Sequence, residues 1–253
     1  MIFYLPLSHN QISINMALIL NIETSTSACS VALAEGEKVI FGKESFDGPS
    51  HAALLGVYVE EALGMVKAEG LKLDAVAVSS GPGSYTGLRI GVSVAKGLCF
   101  GYGIPLIGIR TLDLLAATAI QANDPATDCL YCAMLDARRM EVYAAIYDTK
   151  LRCMRNAVAD IVTSDTYNTY LEDGKVCFFG NGAAKCKNVI SSPNACFIED
   201  IYPLAKNMAA LSANAFTEGR FEDVAYFEPF YLKEFQATIA KNKVLNEVLG
   251  KNK

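Results

Sequence analysis

A glycine-rich segment, SSGPGSYTGLRIGVSVAKG at residues 79–97, has the composition of a loop that opens a helix, and such loops can bind phosphate. Its glycines do not follow the dinucleotide-binding pattern G-x-G-x-x-G, because Gly83 and Gly87 are one residue too far apart. The pattern G-x-x-x-x-G-K-[ST] is also absent, since Leu88 stands where the lysine would be. The free N–H groups of a helix N-terminus still attract anions, so Ser84 is a candidate anion contact.

Two acidic residues stand at the ends of predicted strands, Glu23 in NIETSTSA and Asp136 in LDARR. In two-lobed phosphotransferases, acids at these points hold Mg²⁺ and a water molecule, and neighbouring hydroxyls bind phosphate. The alternative is a local role in a cap or a turn, with Asp136 paired to Arg138 or Arg139. The residues of this candidate nucleotide or anion site are Glu23, Thr24, Ser84, Asp136, Gly180 and Gly182.

Metal centres and nucleophilic triads have few candidate residues here. The only histidines are His9 and His51, so a histidine-based metal site lacks a second ligand in a well-patterned region. A Ser-His-Asp or Cys-His triad would have to use His51, for which a capping role at the start of a helix is favoured. Cys129 and Cys132 lie in a predicted strand, where residues three apart point to opposite faces. We therefore expect buried thiols there and no metal or redox pair.

Two predicted helices, residues 50–67 and 86–100, carry more apolar residues than one buried face requires. In the second helix Gly87, Gly91 and Ala95 recur at four-residue spacing, although glycine costs about 1 kcal/mol relative to alanine inside a helix. Small residues in one stripe allow another backbone to approach, which favours a protein interface; the open alternative is that both helices face the core. The predicted interface residues are Leu54, Leu55, Tyr58, Ala62, Gly87, Leu88, Gly91, Val94, Ala95 and Leu98.

The composition excludes several classes of protein. The chain has 253 residues, a net charge of -5 and no cluster of Lys or Arg, so a large nucleic-acid surface on this chain alone is not expected. No run of about 18 apolar residues occurs, and no membrane span is predicted. The chain has eight cysteines, and its first residues do not have the pattern of a secretion signal, which favours free thiols and a cytoplasmic location.

The elements that would position these residues form a repeated α/β pattern. Short apolar runs and helical periodicities predict the order β-β-β-α-β-α-β-α, and a similar block then restarts. Two α/β lobes that face each other fit this order. The predicted domains are an N-terminal extension (1–15) without stable structure, a first lobe (16–115) completed by a returning helix (204–219), a second lobe (116–203) and a C-terminal tail (220–253).

Four segments resemble the TsaB (YeaZ) family: LILNIETSTSACSVAL, SHAALLGVYVEEAL, SSGPGSYTGLRIGVSVAKGL and LDARRMEVYAAIY. The resemblance runs from about Met16 to Lys233. The pattern G-P-G-S-[YF]-T-G-[LV]-R-[IV]-G, at residues 81–91, is specific to this family and its relatives. The resemblance implies the two-lobed fold shared by actin, Hsp70 and sugar kinases (the ASKHA fold), with a ribonuclease-H-like unit in each lobe.

The resemblance also implies a function. Members of the family are non-catalytic partners of TsaD in making threonylcarbamoyladenosine in tRNA; they form a complex with the ATPase TsaE and often form homodimers without TsaD. The H-x-x-x-H metal motif of TsaD is incomplete here, because Leu55 follows four residues after His51. Glu23 stands where many relatives have Asp. The implied protein is a scaffold subunit that contacts tRNA only through the complex. It has no metal or cofactor of its own. If ATP or ADP binds with Mg²⁺, the implied place is an interface with a partner.

Two other functions stay open from the residues. One is a nucleotide-dependent kinase or ATPase of the same fold, which would use Glu23, Asp136 and Gly182. The other is a glycoprotease-like peptidase that depends on His51.

Overall fold

The structure of the protein is a computed structural model that describes residues 16–47, 51–122 and 128–233. It contains two five-stranded sheets with helices packed against them. The predicted two-lobed α/β fold is confirmed. The predicted extension at residues 1–15 lies outside the described residues. No helix within the described ranges is long and apolar enough to cross a membrane.

The elements alternate in the order expected from the apolar runs. They are β1 (Leu18–Glu23), β2 (Cys29–Glu35), β3 (Lys38–Ser45), α1 (His51–Ala68), β4 (Ala75–Gly81), α2 (Tyr85–Tyr102), β5 (Leu106–Arg110), α3 (Thr111–Ala122), β6 (Leu130–Asp136), β7 (Glu141–Tyr147), β8 (Cys153–Ile161), α4 (Asn168–Asp173), β9 (Val176–Phe179), β10 (Ala195–Ile198) and α5 (Ala209–Thr217).

The first sheet has the strand order β3-β2-β1-β4-β5. Its central strands β1 and β4 are parallel and buried over their whole lengths, because helices cover both faces. α1 and α2 pack on one face, and α3 and α5 pack on the other. The carboxyl ends of β1 and β4 therefore meet at one edge of the sheet, where Glu23 and the glycine-rich loop lie.

The second sheet has the strand order β10-β9-β6-β7-β8. α3 packs between the two sheets, so it belongs to the cores of both lobes. The segment after β9 differs from the expected helix: only a 3₁₀ turn forms, at Ala184–Cys186. Its start is held to the end of β6, since the N–H of Gly182 donates to the carbonyl oxygen of Met134 at 3.1 Å.

The predicted C-terminal tail needs a correction. Residues 221–233, here called the C-terminal strap, pack on the first lobe through main-chain hydrogen bonds. Such bonds require no helical spacing of apolar residues, so the sequence of the strap shows no periodicity. The N–H of Glu222 donates to Leu106 O at 2.8 Å, and the N–H of Phe230 donates to Ser80 O at 2.6 Å. Lys233 then forms an ion pair with Glu141 of the second lobe. The strap thus contacts both lobes, while residues 234–253 lie outside the described residues.

Candidate functional site

The start of α2 rests on the loop that follows β1. The N–H of Ser84 donates to the carbonyl oxygen of Ser25 at 2.6 Å, and the Ser84 hydroxyl caps the helix by accepting from the N–H of Gly87 at 3.2 Å. Glycine is required at Gly83 and Gly87, because a Cβ atom there would collide with the carbonyl oxygens of Ser25 and Thr24. The glycine-rich loop therefore brings the helix and the strand end into backbone contact.

Thr24 is enclosed beneath α2. It is fully buried, and its hydroxyl donates to the carbonyl oxygen of Gly87 at 2.8 Å. A Cβ atom at Gly91 would collide with the same hydroxyl. Thr24 is thus used in packing the helix on the strand, and its hydroxyl is turned away from solvent.

Glu23 is also fully buried, at the carboxyl end of β1. One carboxyl oxygen accepts from the N–H of Ser25 at 2.5 Å, and the other accepts from the hydroxyl of Ser79 on β4. Burial raises the pKa of Glu23 to about 7, and the hydrogen bonds from Ser25 and Ser79 oppose the rise. Burial, followed by the Glu23 charge, also raises the pKa of Cys29 to about 11, which keeps that thiol neutral.

Glu23 is expected to make the protein less stable as the pH rises from about 5 to about 8. Its pKa is 4.5 in the unfolded chain and about 7 in the folded one. Between these values the folded state holds a proton that the unfolded state has released, so stability falls with rising pH, by an amount on the order of 3 kcal/mol. Urea unfolding at several pH values, compared with the Glu23→Gln variant, isolates this contribution. An equal pH dependence in the two proteins would contradict the assignment.

Asp136 lies half-exposed at the end of β6 and has its own partners. Lys185 forms an ion pair with its carboxylate, which also accepts from the N–H of Arg138 at 3.0 Å. Gly180 and Gly182 pack on the β6 backbone: a Cβ atom at Gly182 would lie 2.8 Å from the carbonyl carbon of Leu135, and one at Gly180 would meet the carbonyl oxygen of Met134. These glycines therefore serve backbone packing.

As placed, the predicted nucleotide contacts do not fit a magnesium nucleotide. The first-lobe residues Glu23 and Thr24 are enclosed by the chain, and Ser84 is the cap of α2. In the second lobe the ammonium group of Lys185 occupies one side of the Asp136 carboxylate.

His51 is a packed residue. It is buried, and its Nε2 atom lies 2.7 Å from the carbonyl oxygen of Thr26. Leu55, one turn later, belongs to the core of the first lobe. Across the described ranges no cluster of three His, Cys, Asp or Glu side chains is arranged to hold a metal ion.

The predicted interface divides into two sets. The glycine stripe faces the first lobe's own core, because α2 must approach β1 closely, so the interface prediction is wrong for the buried residues. These are Leu55, Ala62, Gly87, Leu88, Gly91 and Ala95. The other four are half-buried at the edge of the core and keep an outward surface, so for them the interface stays a prediction. These are Leu54, Tyr58, Val94 and Leu98.

Four other glycines of these helices lie outside the predicted interface set. Gly56, Gly64, Gly97 and Gly101 are exposed, and a Cβ atom at any of them would meet nothing within 4 Å. No backbone contact within the described chain explains them, although each glycine costs up to about 1 kcal/mol in a helix interior. Their signal in the sequence is the number of glycines in the two helices, which the stripe at Gly87 and Gly91 does not account for.

The exposed surface of α2 is poor in charge, whereas α1 also exposes Glu60, Glu61 and Lys67. On α2 the exposed residues from Thr86 to Tyr102 include one charged side chain, Arg89, and the large apolar Phe100 at 85% exposure. Val57 of α1 is 48% exposed. We call the exposed residues of α1 and α2, including the four glycines, the outer helix face. Exposed apolar side chains such as Val57 and Phe100 on such a face are typical of a protein interface.

Comparison with known proteins agrees with this architecture. A family model described as "TsaD: tRNA N6-adenosine threonylcarbamoyltransferase" matches residues 48–241. The chain is 29% identical over 222 residues to the tRNA threonylcarbamoyladenosine biosynthesis protein TsaB of Escherichia coli (strain K12), with 85% of this chain and 94% of that protein covered. It is 31% identical over 175 residues to the protein of the same name from Bacillus subtilis (strain 168), with 68% and 74% covered.

A solved structure is similar over nearly the same share of the chain. It is a Pseudomonas aeruginosa protein described as similar to the peptidase YEAZ, with a TM-score of 0.72 and 25% sequence identity. The superposition covers 86% of this chain and 100% of that one. A second Pseudomonas aeruginosa structure, YeaZ, has a TM-score of 0.71 at 24% identity and supports the fold.

Proposed function

The chain belongs to the TsaB (YeaZ) family, and on that premise we propose that it is a non-catalytic subunit in the synthesis of threonylcarbamoyladenosine in tRNA. In this proposal it binds and activates a TsaD-type transferase and works with a TsaE-type ATPase in the cytoplasm. It contacts tRNA through the complex, in keeping with its net charge of -5.

One observation carries the non-catalytic part of the proposal. The start of α2 sits on Thr24 and Ser25 in backbone contact, so the chain itself encloses the Thr24 hydroxyl, which was the candidate phosphate contact. Opening that place would require α2 to lift from β1 and to lose the Thr24–Gly87 hydrogen bond of 2.8 Å. The arrangement supports a protein that acts through its surface.

The outer helix face supports the docking part. It presents exposed glycines that the fold does not need, and a partner helix or loop could approach their backbones closely. We place the contact with the TsaD-type subunit on this face, and we place self-association of the isolated chain on the same face. The half-buried Leu54, Tyr58, Val94 and Leu98 would form its apolar rim.

The direct test is reconstitution. A TsaD-type transferase, a TsaE-type ATPase, ATP, threonylcarbamoyl-adenylate and unmodified tRNA are incubated with and without this chain, and the modified nucleoside is measured by mass spectrometry. We expect modification to depend on this chain. Equal modification without it would overturn the proposal, and micromolar binding and turnover of Mg-ATP by the isolated chain would favour the kinase alternative instead.

A further inference from the structure

Three cysteines of the second lobe lie near one another at the β10 edge of the second sheet. The Cys177 thiol donates to the Cys129 sulfur at 3.1 Å, and Cys177 is the direct cross-strand partner of Cys196 on β10. Cys129 and Cys177 are buried, whereas Cys196 is exposed. Cys177 is therefore the central thiol between one at the surface and one in the core.

The spacing of these residues allows disulfide bonds. Cys177 and Cys196 are direct partners on neighbouring strands, which are about 4.8 Å apart, and this falls within the Cα separation of about 4.4–6.8 Å found in disulfides. Cys129 precedes Tyr131, the partner of Cys177 on β6, by two residues, so for that pair the sulfur separation is the relevant distance. The sulfurs of Cys129 and Cys177 are 3.1 Å apart and would need to approach by about 1 Å to reach a bond of about 2.05 Å. Cys132, by contrast, lies in the core on the opposite face of the sheet.

We propose that Cys196, Cys177 and Cys129 form an oxidation site, through which a peroxide at the surface produces a disulfide in the core of the second lobe. The Cys196 thiolate attacks hydrogen peroxide, the O–O bond breaks, and a sulfenic acid and water form. The Cys177 thiolate then attacks the Cys196 sulfur, and the sulfenic oxygen leaves as a second water.

The last step is an exchange within the cluster. The Cys129 thiolate attacks the Cys177 sulfur, the Cys177–Cys196 bond breaks, and the Cys196 thiolate is released. The sum is two thiols and one peroxide giving one disulfide and two waters. Burial raises the pKa of Cys177, so its thiolate is scarce near neutral pH and the relay speeds up as the pH rises.

The test uses the full chain, treated with hydrogen peroxide at about pH 7 and pH 8.5, blocked with N-ethylmaleimide and mapped by mass spectrometry. We expect a Cys129–Cys177 disulfide in the monomer, formed faster at the higher pH, with the thermal midpoint raised by about 5 °C. The Cys129→Ser variant should instead accumulate the Cys177–Cys196 disulfide.

Two further variants replace exposed cysteines, so their effects on oxidation are not confused with effects on folding. Cys196→Ser should slow formation of the core disulfide at least about tenfold, because the surface thiol starts the relay. The matched control is Cys153→Ser, since Cys153 is exposed, its thiol donates to the Asn156 side chain, and it lies outside the cysteine cluster; this variant should oxidise like the parent protein. Unchanged oxidation in Cys196→Ser, or oxidised Cys196 without any intramolecular disulfide, would overturn the proposal.

Discussion

Replacing Gly87 with alanine is expected to destabilise the protein by about 3 kcal/mol. The new Cβ atom would collide with the carbonyl oxygen of Thr24, which is main chain and cannot rotate away. Relief would require α2 to move from β1, which would break the hydrogen bond from the Thr24 hydroxyl to Gly87 O at 2.8 Å. Overpacking of this kind typically costs about 1–3 kcal/mol. Urea unfolding monitored by circular dichroism measures the change.

The matched control is Gly97→Ala on the same helix. A Cβ atom at Gly97 meets nothing within 4 Å, so only helix propensity acts. We expect this variant to be more stable than the parent by up to about 1 kcal/mol. The two alanine variants should thus change stability in opposite directions. If Gly87→Ala is as stable as the parent but no longer self-associates, the glycine stripe belongs to the partner interface and not to the core.

The double variant Gly64→Glu, Gly97→Glu is expected to weaken binding to the TsaD-type subunit, and self-association, by about 100-fold or more. Each substitution places a bulky charge on the outer helix face, where a closely packed partner would have to bury it unpaired. A 100-fold loss corresponds to about 2.7 kcal/mol. Stability should be equal or higher, because both glycines are exposed within helices and have free space around them. Calorimetry gives the affinity, and analytical ultracentrifugation gives the oligomeric state.

Gly42→Glu provides the matched control for the charge. Gly42 lies on β3, is exposed and also has no atom within 4 Å of an added Cβ, but it is outside the outer helix face. We expect its affinity for the transferase to equal that of the parent. If the double variant binds as well as Gly42→Glu, the docking surface lies elsewhere. We expect both variants to keep the fold. That result would therefore count against the location of the docking surface and would leave the family assignment unchanged.

Much of the fold could be predicted because it depends on local patterns. The buried runs LILNIE and AVAVSSG contain no charge except the final Glu23, so they predict strands covered on both faces. The second helix was predicted to start at about residue 86, and α2 begins one residue earlier, at Tyr85, with the Ser84 hydroxyl as its cap. The C-terminal strap escaped prediction because its order comes from main-chain bonds to Leu106 and Ser80, distant in sequence. No local periodicity encodes such contacts.

The sequence by itself determined the two-lobed α/β order, the family through the residues 81–91, and the absence of a second histidine one turn after His51. It also identified α1 and α2 as unusually rich in small and apolar residues. Only the tertiary structure decided which of these residues face inward. A stripe of Gly87, Gly91 and Ala95 allows close approach by any backbone that packs against it. The spacing alone does not show whether that backbone belongs to the same chain or to a partner. The neighbour is Thr24 of the same chain, because β1 ends directly beneath α2.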